Sequence, residues 1–516
     1  MLVALAAAAC TSGGDRDDAS PEPTQPQEPT WKEDDDPTRV PNPTLREATG
    51  GRGEAIGGMR YDVGEFGYEE REYLFEGTAG TYPPADLPPA PYKSRMIVWT
   101  PIDPGDFNGT TVVEWAHVSD IGQWELTVEL NYQSLMLQDE GYAFALVSAE
   151  EGGVCDETPE GCTPTSLKMA DPERYGSLDH PGDAYAFDIF SQALQAIKFP
   201  NDLAPLGGLE PGIVIAEGFQ PSIDKYSPVG HPNPEELTSP FSIYGPLNAY
   251  LASGADDAAQ VADGFFIDAA APRDEPTYRV PTLHHLDESA IRREPTPDSE
   301  QHVTWEVVGA PHADRWASDH IRLPSANDPE PKLTRTEEEA RLARLENYGQ
   351  LPDDRSGICQ PFPRTGTLFP KHHTIKAALS ALQVWIETGE RAPSAPRIER
   401  VGPPPTSASE KLARDPDGNA IGGLRSPIIE VPVSTYDGEE CIQAGTSTAY
   451  TPDRLAELYT SHKDYVQQLL AAIDTAVDDR FLRCGDAETI MRGASTSPIG
   501  GQDDYSASPR CTNGAG

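Results

Sequence analysis

The stretch Gly212–Ser222, Gly-Ile-Val-Ile-Ala-Glu-Gly-Phe-Gln-Pro-Ser, constrains the fold more than any other part of the chain. Turn residues Pro211-Gly212 lead into the β-branched run Ile213-Val214-Ile215. A short run that is apolar at consecutive positions fits a strand buried on both faces, as in a parallel sheet. Such a strand needs parallel neighbours on either side and helices above and below. Ala216-Glu217-Gly218 ends the run, and a polar, proline-rich stretch, Ile223–Tyr244, follows.

The rest of the chain supplies those neighbours. Tyr68–Ala79 and Ser94–Thr100 read as strands at one edge of a sheet. Asp106–Ser119 and Gly141–Ala149 each place turn residues before an apolar strand, with a helical pattern at Leu126–Gln138 between them. Asp171–Asp183 leads into Ala184–Lys198, where Phe187, Phe190, Leu194 and Ile197 share one helical face. Further strands are predicted at Asp263–Ala269, Pro281–Leu286 and Val303–Val308. Strands alternating with helices predict an α/β fold, a doubly wound and mostly parallel sheet with helices on both faces. Beyond it, Thr336–Tyr348, His373–Thr388 and Pro452–Val477 carry helical patterns, and Ser394–Ser407 is a Pro-rich loop. The tail from Gly493 is expected to fray except where Cys511 pins it.

The two ends and the cysteines bear on compartment. Residues 1–10, an apolar run ending in Cys10, resemble the tail of a bacterial lipoprotein signal, with cleavage before Cys10 and a lipid on its sulfur. The expectation is an exported protein, at the outer face of the cytoplasmic membrane and touching it only through that lipid. No basic residue precedes the run and Ala7 stands where leucine is usual; a translation start upstream of Met1 would explain the first departure. A cleaved secretory signal is the alternative, since the run is too short to span a bilayer. Residues 11–42, rich in Pro, Asp, Glu and Thr, bury too little apolar surface to fold and read as a tether. Residues 43–492 are then the folded domain with a C-terminal extension and an insertion at 223–244, and 493–516 a tail.

A formal net charge of −45 argues against nucleic acid as a partner and against attraction to anionic membrane surfaces. It fits a solvated acidic surface better than adaptation to high salt. If Cys10 is lipidated, Cys155, Cys162, Cys359, Cys441, Cys484 and Cys511 remain, an even set that suggests disulfides in an exported protein. Cys155 and Cys162 flank a short loop and are expected to pair locally. The other four form two bridges, with Cys359–Cys441 and Cys484–Cys511 favoured because each closes a shorter or intermediate loop. No Cys-x-x-Cys pair occurs, which argues against a metal.

Several blocks together resemble a bacterial group of exported α/β-hydrolase-domain proteins within the esterase/lipase superfamily. They are Phe107-Asn-Gly-Thr with Val112-Val-Glu-Trp115, Asp171-Pro-Glu-Arg-Tyr-Gly176, and His180-Pro-Gly-Asp with Asp188-Ile-Phe-Ser-Gln192. Trp305-Glu-Val-Val-Gly-Ala-Pro-His-Ala-Asp314, Asp415–Arg425 and Val431-Pro-Val433 complete the series, which covers roughly Pro43 to Arg492. The resemblance implies a serine elbow, Gly-Glu-Ser-Gln-Ser, after the central strand, then an acid after a later strand and a histidine near the end of the core, in that order. His312, reached from Val303–Val308 through a Gly-Ala-Pro turn, matches the histidine. Asp287-Glu288 fall where the acid belongs. The group tends to read Ser-Glu-Thr-Asp there, which retains Glu288 and puts Ala290 at the aspartate. Glu288 is therefore the expected acid, weighed against a reading of both as solvated loop carboxylates.

The elbow departs from the pattern. Gln220 occupies the nucleophile position and has no nucleophilic oxygen. Pro221 lacks the N–H that would form half of the oxyanion hole, a loss on the order of 10²–10³ in rate. Ser222 is the alternative nucleophile, with Ile223 supplying an N–H, but Gln220 and Asp224 crowd a turn that favours small residues. Ser242 has no strand before it. Two functions follow from these residues: a divergent, non-catalytic homologue that binds a small-molecule or ester-like ligand, or an active ester hydrolase using Ser222 with Glu288 and His312. No Gly-x-Gly-x-x-Gly after a strand, no P-loop and no His-Glu-x-x-His occurs, so no cofactor or metal is expected.

Overall fold

The computed structural model describes residues 40–81, 87–118, 125–127, 129–155, 166–219, 261–268, 278–291, 297–312, 314–316, 331–345, 367–401, 411–439, 445–501 and 505–511. The N-terminal segment, Cys162, Cys359, Cys441, the insertion 223–244 with Ser242, and Gln220-Pro221-Ser222 lie outside them.

A single mixed sheet is built from β1 (Thr44–Glu47), β2 (Tyr68–Ala79), β3 (Ala90–Pro101), β4 (Thr110–Trp115), β5 (Ala143–Val147), β6 (Ile213–Phe219), β7 (Gly264–Asp268), β8 (Thr282–Leu286) and β9 (His302–Glu306). Its order is β1-β2-β3-β5-β4-β6-β7-β8-β9. Pairing is antiparallel from β1 through β3 to β5 and parallel from β5 to β9. The Ile213 strand runs in the middle, with Val214, Ile215 and Ala216 buried, as its unbroken apolar run requires. The strand order switches around β4, so a ligand crevice belongs at the carboxyl ends of β6–β9.

Each sheet face has its own helices. Helix α2 (Ala186–Lys198) lays Phe187, Phe190, Leu194 and Ile197 against Val113, Val214 and Phe265. On the other face Ile215, Phe266 and Val303 share a core with α1 (Glu129–Asp139) and α4 (Lys371–Thr388). Helix α3 (Arg335–Leu345) lies between these last two in sequence. That same core contains Ile429, Tyr436, Leu469 and Ile490, so the C-terminal extension is not a separate body. Leu424 continues the sheet beside β9, its N–H on Glu306 O at 2.7 Å and its carbonyl accepting from Val308 N at 3.0 Å. An edge strand is thereby covered.

The blocks that carry the resemblance have physical work to do in the fold. Arg174 and Tyr175 reach Glu72, Nε to Oε2 at 2.5 Å and Oη to Oε1 at 2.8 Å. Arg95, with its side chain 1% exposed, joins them to Glu125. Two cations and two anions are thus buried as a neutral network, the condition under which buried charge is tolerable. His180 bonds Ala149 O at 2.9 Å and ties its loop to the end of β5.

Two expectations need correcting. Pro452–Val477 is not one helix but two, α5 (Pro452–Leu458) and α6 (His462–Asp478). Ser461 stops the pattern because its hydroxyl accepts from Asp464 N at 3.1 Å and so starts a new helix. The tail does not fray at Gly493: α7 (Cys484–Ser495) carries it on, Ile499 is buried, and Ile499 O bonds His462 at 2.9 Å. Cys484 and Cys511 are bridged, with Cα atoms 5.6 Å apart, and Cys155 is disulfide-bonded. Among the described residues no helix is long and apolar enough to cross a membrane.

In the sheet's centre Glu114 and Glu217 face each other in register on β4 and β6, both fully buried. Glu114 Oε2 accepts from Leu130 N at 2.9 Å and Glu217 Oε2 from Gln133 Nε2 at 3.1 Å. Burial and the neighbouring Glu114 hold the Glu217 carboxyl protonated well above the usual range. A carboxyl raised in the folded state stabilises below its unfolded pKa, and that contribution is lost as pH rises. Glu217→Gln is therefore expected to stabilise the protein at pH 8 by on the order of 1–3 kcal/mol. The gain should vanish near pH 4, as measured by denaturant unfolding at both pH values.

Candidate active site

The carboxyl ends of β7, β8 and β9 gather a buried polar cluster. Asp268 is the last residue of β7, and Asp287 follows Leu286 at the end of β8. After β9 the chain turns at Gly309, whose φ of 77° is one that favours glycine, and passes Ala310-Pro311 to His312. This turn swings the imidazole back over the sheet edge. His312 Nδ1 then faces Asp287 Oδ2 at 3.7 Å, an ion-pair distance longer than a hydrogen bond. Contacts of this kind commonly tighten only when substrate is bound.

Asp287 is well made for the acid's part. Its Oδ1 accepts from Ser289 N at 2.8 Å, Ser289 Oγ at 2.5 Å and Ala290 N at 3.0 Å, which locks the carboxylate plane. Burial alone would raise its proton affinity, but His312, Lys371 and Ser289 outweigh it and hold the group ionised far below the usual range. Glu288, the acid expected from the sequence, is turned elsewhere. Its Oε1 accepts from Gly309 N at 2.7 Å, and its Oε2 from Gly438 N at 3.0 Å and Arg414 Nη2 at 3.2 Å. The reason is local: Asp287 and Glu288 leave the strand as neighbours, and successive side chains point to opposite sides. Glu288 clamps the histidine turn to the C-terminal extension, where Gly438 is needed because a Cβ there would lie 2.1 Å from Ala310 O.

Four groups, Lys371, Asp268, His285 and His117, went unnoticed in the sequence. Lys371, the first residue of α4, is fully buried, with Nζ 2.5 Å from Asp268 Oδ2, 3.1 Å from His312 O and 3.8 Å from Asp287 Oδ2. His285 bonds Asp268 through Nδ1 at 2.7 Å and Thr374 through Nε2 at 2.9 Å. His117, just past β4, is kept neutral: burial and nearby His312 push its pKa down to about 3. Asp268 had a legible signal, a carboxylate ending a predicted parallel strand. Lys371 had none, since a lysine opening an amphipathic helix reads as solvated. Gln220 and Pro221 directly follow the last residue of β6 but lie outside the described residues, as does Ser222. Among the described residues no group of three or more His, Cys, Asp or Glu is arranged to hold a metal ion.

Burial outweighs the three donors at Glu288 and pushes its pKa up to about 7. A proton kept between the ordinary 4.5 and about 7 stabilises the folded state below that window and is lost as pH rises through it. The stability difference between wild type and Glu288→Gln is expected to shift against the wild type by roughly 3 kcal/mol from pH 4.5 to pH 7. It should be flat above that window. Unfolding free energies measured across this range check it.

Comparison with known proteins identifies the chain at the level of the family. Similar solved structures include esterase Est22, at 11% identity over 44% of this chain and 67% of that one, with a TM-score of 0.24. A glucuronoyl esterase from Solibacter usitatus is similar at 10% identity over 52% and 72% of the two chains, TM-score 0.26. A cold-adapted esterase from an Arctic intertidal metagenomic library is 8% identical over 42% and 71%, TM-score 0.20. A comparison with curated proteins finds no match. The family model described as alpha/beta hydrolase domain matches residues 39–492, nearly the whole described chain, and the protein therefore belongs to the alpha/beta hydrolase domain family.

Proposed function

We propose that the protein is a carboxylic-ester-hydrolase type of α/β-hydrolase that keeps the acid–base half of its triad and has lost the nucleophile, so that its site binds an ester-like small molecule with little or no turnover. The observation that carries this reading is the pairing of the buried Asp287 with the partly buried His312 at the carboxyl edge of the sheet. It follows the nucleophile position in the order acid then histidine. In a complete site the histidine takes the serine proton as the oxygen attacks the acyl carbon, and the aspartate steadies the imidazolium so formed. Here Gln220 offers no oxygen to be deprotonated and Pro221 no N–H to receive the oxyanion. The second reading, a shifted nucleophile at Ser222 served by His312, draws support from the same intact pair, with Asp287 rather than Glu288 as its acid. Export as a lipoprotein rests on the run ending in Cys10 and suits the Cys484–Cys511 bridge, which belongs to an oxidising compartment.

The wild-type protein is expected to hydrolyse p-nitrophenyl acetate no faster than His312→Ala. Gln220→Ser alone should give little, because the proline still withholds its donor. Gln220→Ser with Pro221→Gln should exceed the sum of the single changes, as groups acting as a unit do. Fluorophosphonate labelling of the wild type that is abolished by Ser222→Ala would instead establish the shifted nucleophile. For location, Cys10→Ser expressed from the native start is expected to move the protein from the membrane fraction to the soluble one; an unchanged distribution contradicts the lipid anchor.

A further inference from the structure

Lys371 touches all three loops that build the candidate site, and its side chain is fully buried. Nζ lies 2.5 Å from the carboxylate ending β7, 3.8 Å from the one after β8, and 3.1 Å from the backbone carbonyl of His312 after β9. The lysine is itself fixed at the start of α4. Asp314 Oδ2 accepts from its backbone N–H at 3.2 Å, Asp314 Oδ1 accepts from Tyr132 Oη at 3.1 Å, and the Thr374 hydroxyl donates to its carbonyl at 2.8 Å.

We infer that Lys371 is the positioning residue of the Asp287–His312 pair, holding the histidine loop by its carbonyl while Asp268 serves as its main counter-ion and leaves Asp287 Oδ2 for the imidazole. The distances decide the division of charge. At one dielectric, attraction scales inversely with separation, so the pair at 2.5 Å dominates the one at 3.8 Å. Asp268 in turn is steadied by His285 at 2.7 Å. Without the lysine, two buried carboxylates at adjacent strand ends would face each other uncompensated. Without Asp268, the ammonium would move onto Asp287 and compete with His312 for the same oxygen. Among the described residues the groups that act on the imidazole include Asp287 and His117, with Lys371 at the backbone carbonyl of His312 and Asp268 and His285 one contact further through the lysine.

The inference rests on reading Asp287 and His312 as an acid–base pair, but its test does not need hydrolysis. In the full chain, the ring protons of His312, assigned by their loss in His312→Ala, are titrated by NMR alongside thermal unfolding. Lys371→Met alone leaves buried carboxylates without a cation, so the informative variant combines it with Asp268→Asn. That double variant is expected to melt within a few degrees of wild type. Its His312 midpoint should rise, with a roughly tenfold gain in proton affinity, because the ammonium removed stands nearer the histidine loop than the carboxylate removed with it. Lys371→Arg, which restores the charge, should bring the midpoint back toward wild type. In the Gln220→Ser, Pro221→Gln background the double change should lower kcat and leave KM, with the acid limb of the pH profile moved upward. An unmoved His312 midpoint in the double variant, whatever the melting temperatures, would overturn the inference and leave Lys371 a plain counter-ion. A moved midpoint without any esterase gain in that background would keep the inference and sink only the esterase reading.

Discussion

Burial of the central strand on both faces is the constraint from which the rest of the structure follows. A strand such as Ile213–Phe219, covered by α2 on one side and by α1 and α4 on the other, is buried from Val214 through Gly218. Polar groups are tolerated inside it only when neutral or paired. Glu114 and Glu217 meet that condition together with Leu130 N–H and the Gln133 amide. Chemistry is pushed to the strand ends, where loops can carry charge without being buried along a whole helix or strand.

Even at those ends the groups are not exposed, so each anion is matched to a donor set. Asp268 has Lys371 and His285; Asp287 has Ser289, Ala290 and His312; Glu288 has Arg414 and two backbone N–H groups. The matching ties distant parts of the chain together. Lys371 comes from the helix after the sheet, and Arg414 and Gly438 come from the C-terminal extension. A protein with a net charge of −45 has few cations to spare for its interior. Among the described residues those it buries are Lys371 at the ends of β7 and β8, Arg95 on β3 with Arg174, and Arg341 on α3.

What the sequence made legible was what periodicity controls. Tyr68–Ala79 emerged with the predicted bounds, and the faces of Ala186–Lys198 and Lys371–Thr388 fell where the 3.6-residue repeat put them. Position in the α/β order pointed to the turn that carries His312 and to Asp287 and Glu288 as candidate acids. Choosing between those two was beyond pattern reading. Alternation at a strand end sends neighbours in opposite directions, and only the partners, His312 on one side and Arg414 on the other, decide which is which. Lys371 escaped for a related reason, because burial of a lysine depends on carboxylates that lie far from it in sequence. The break at Tyr459–Ser461 escaped because a serine cap competes with a continuing helical repeat, and composition does not say which wins.

The buried charge cluster also bears on how a site of this kind ages. Deleting one partner of a buried ion pair typically costs about 3–5 kcal/mol, a large part of the stability a domain has. Asp268, Asp287 and Lys371 are therefore held by the demands of folding as well as by any demand of turnover. Gln220 and Pro221 carry no charge, so substitution at those positions removes no ion-pair partner. If selection for hydrolysis relaxed, substitutions would accumulate first at the nucleophile and last among the interlocked charges, leaving half a triad in place. A standing Asp287–His312 pair would outlast such a loss, and by itself it is no measure of present activity.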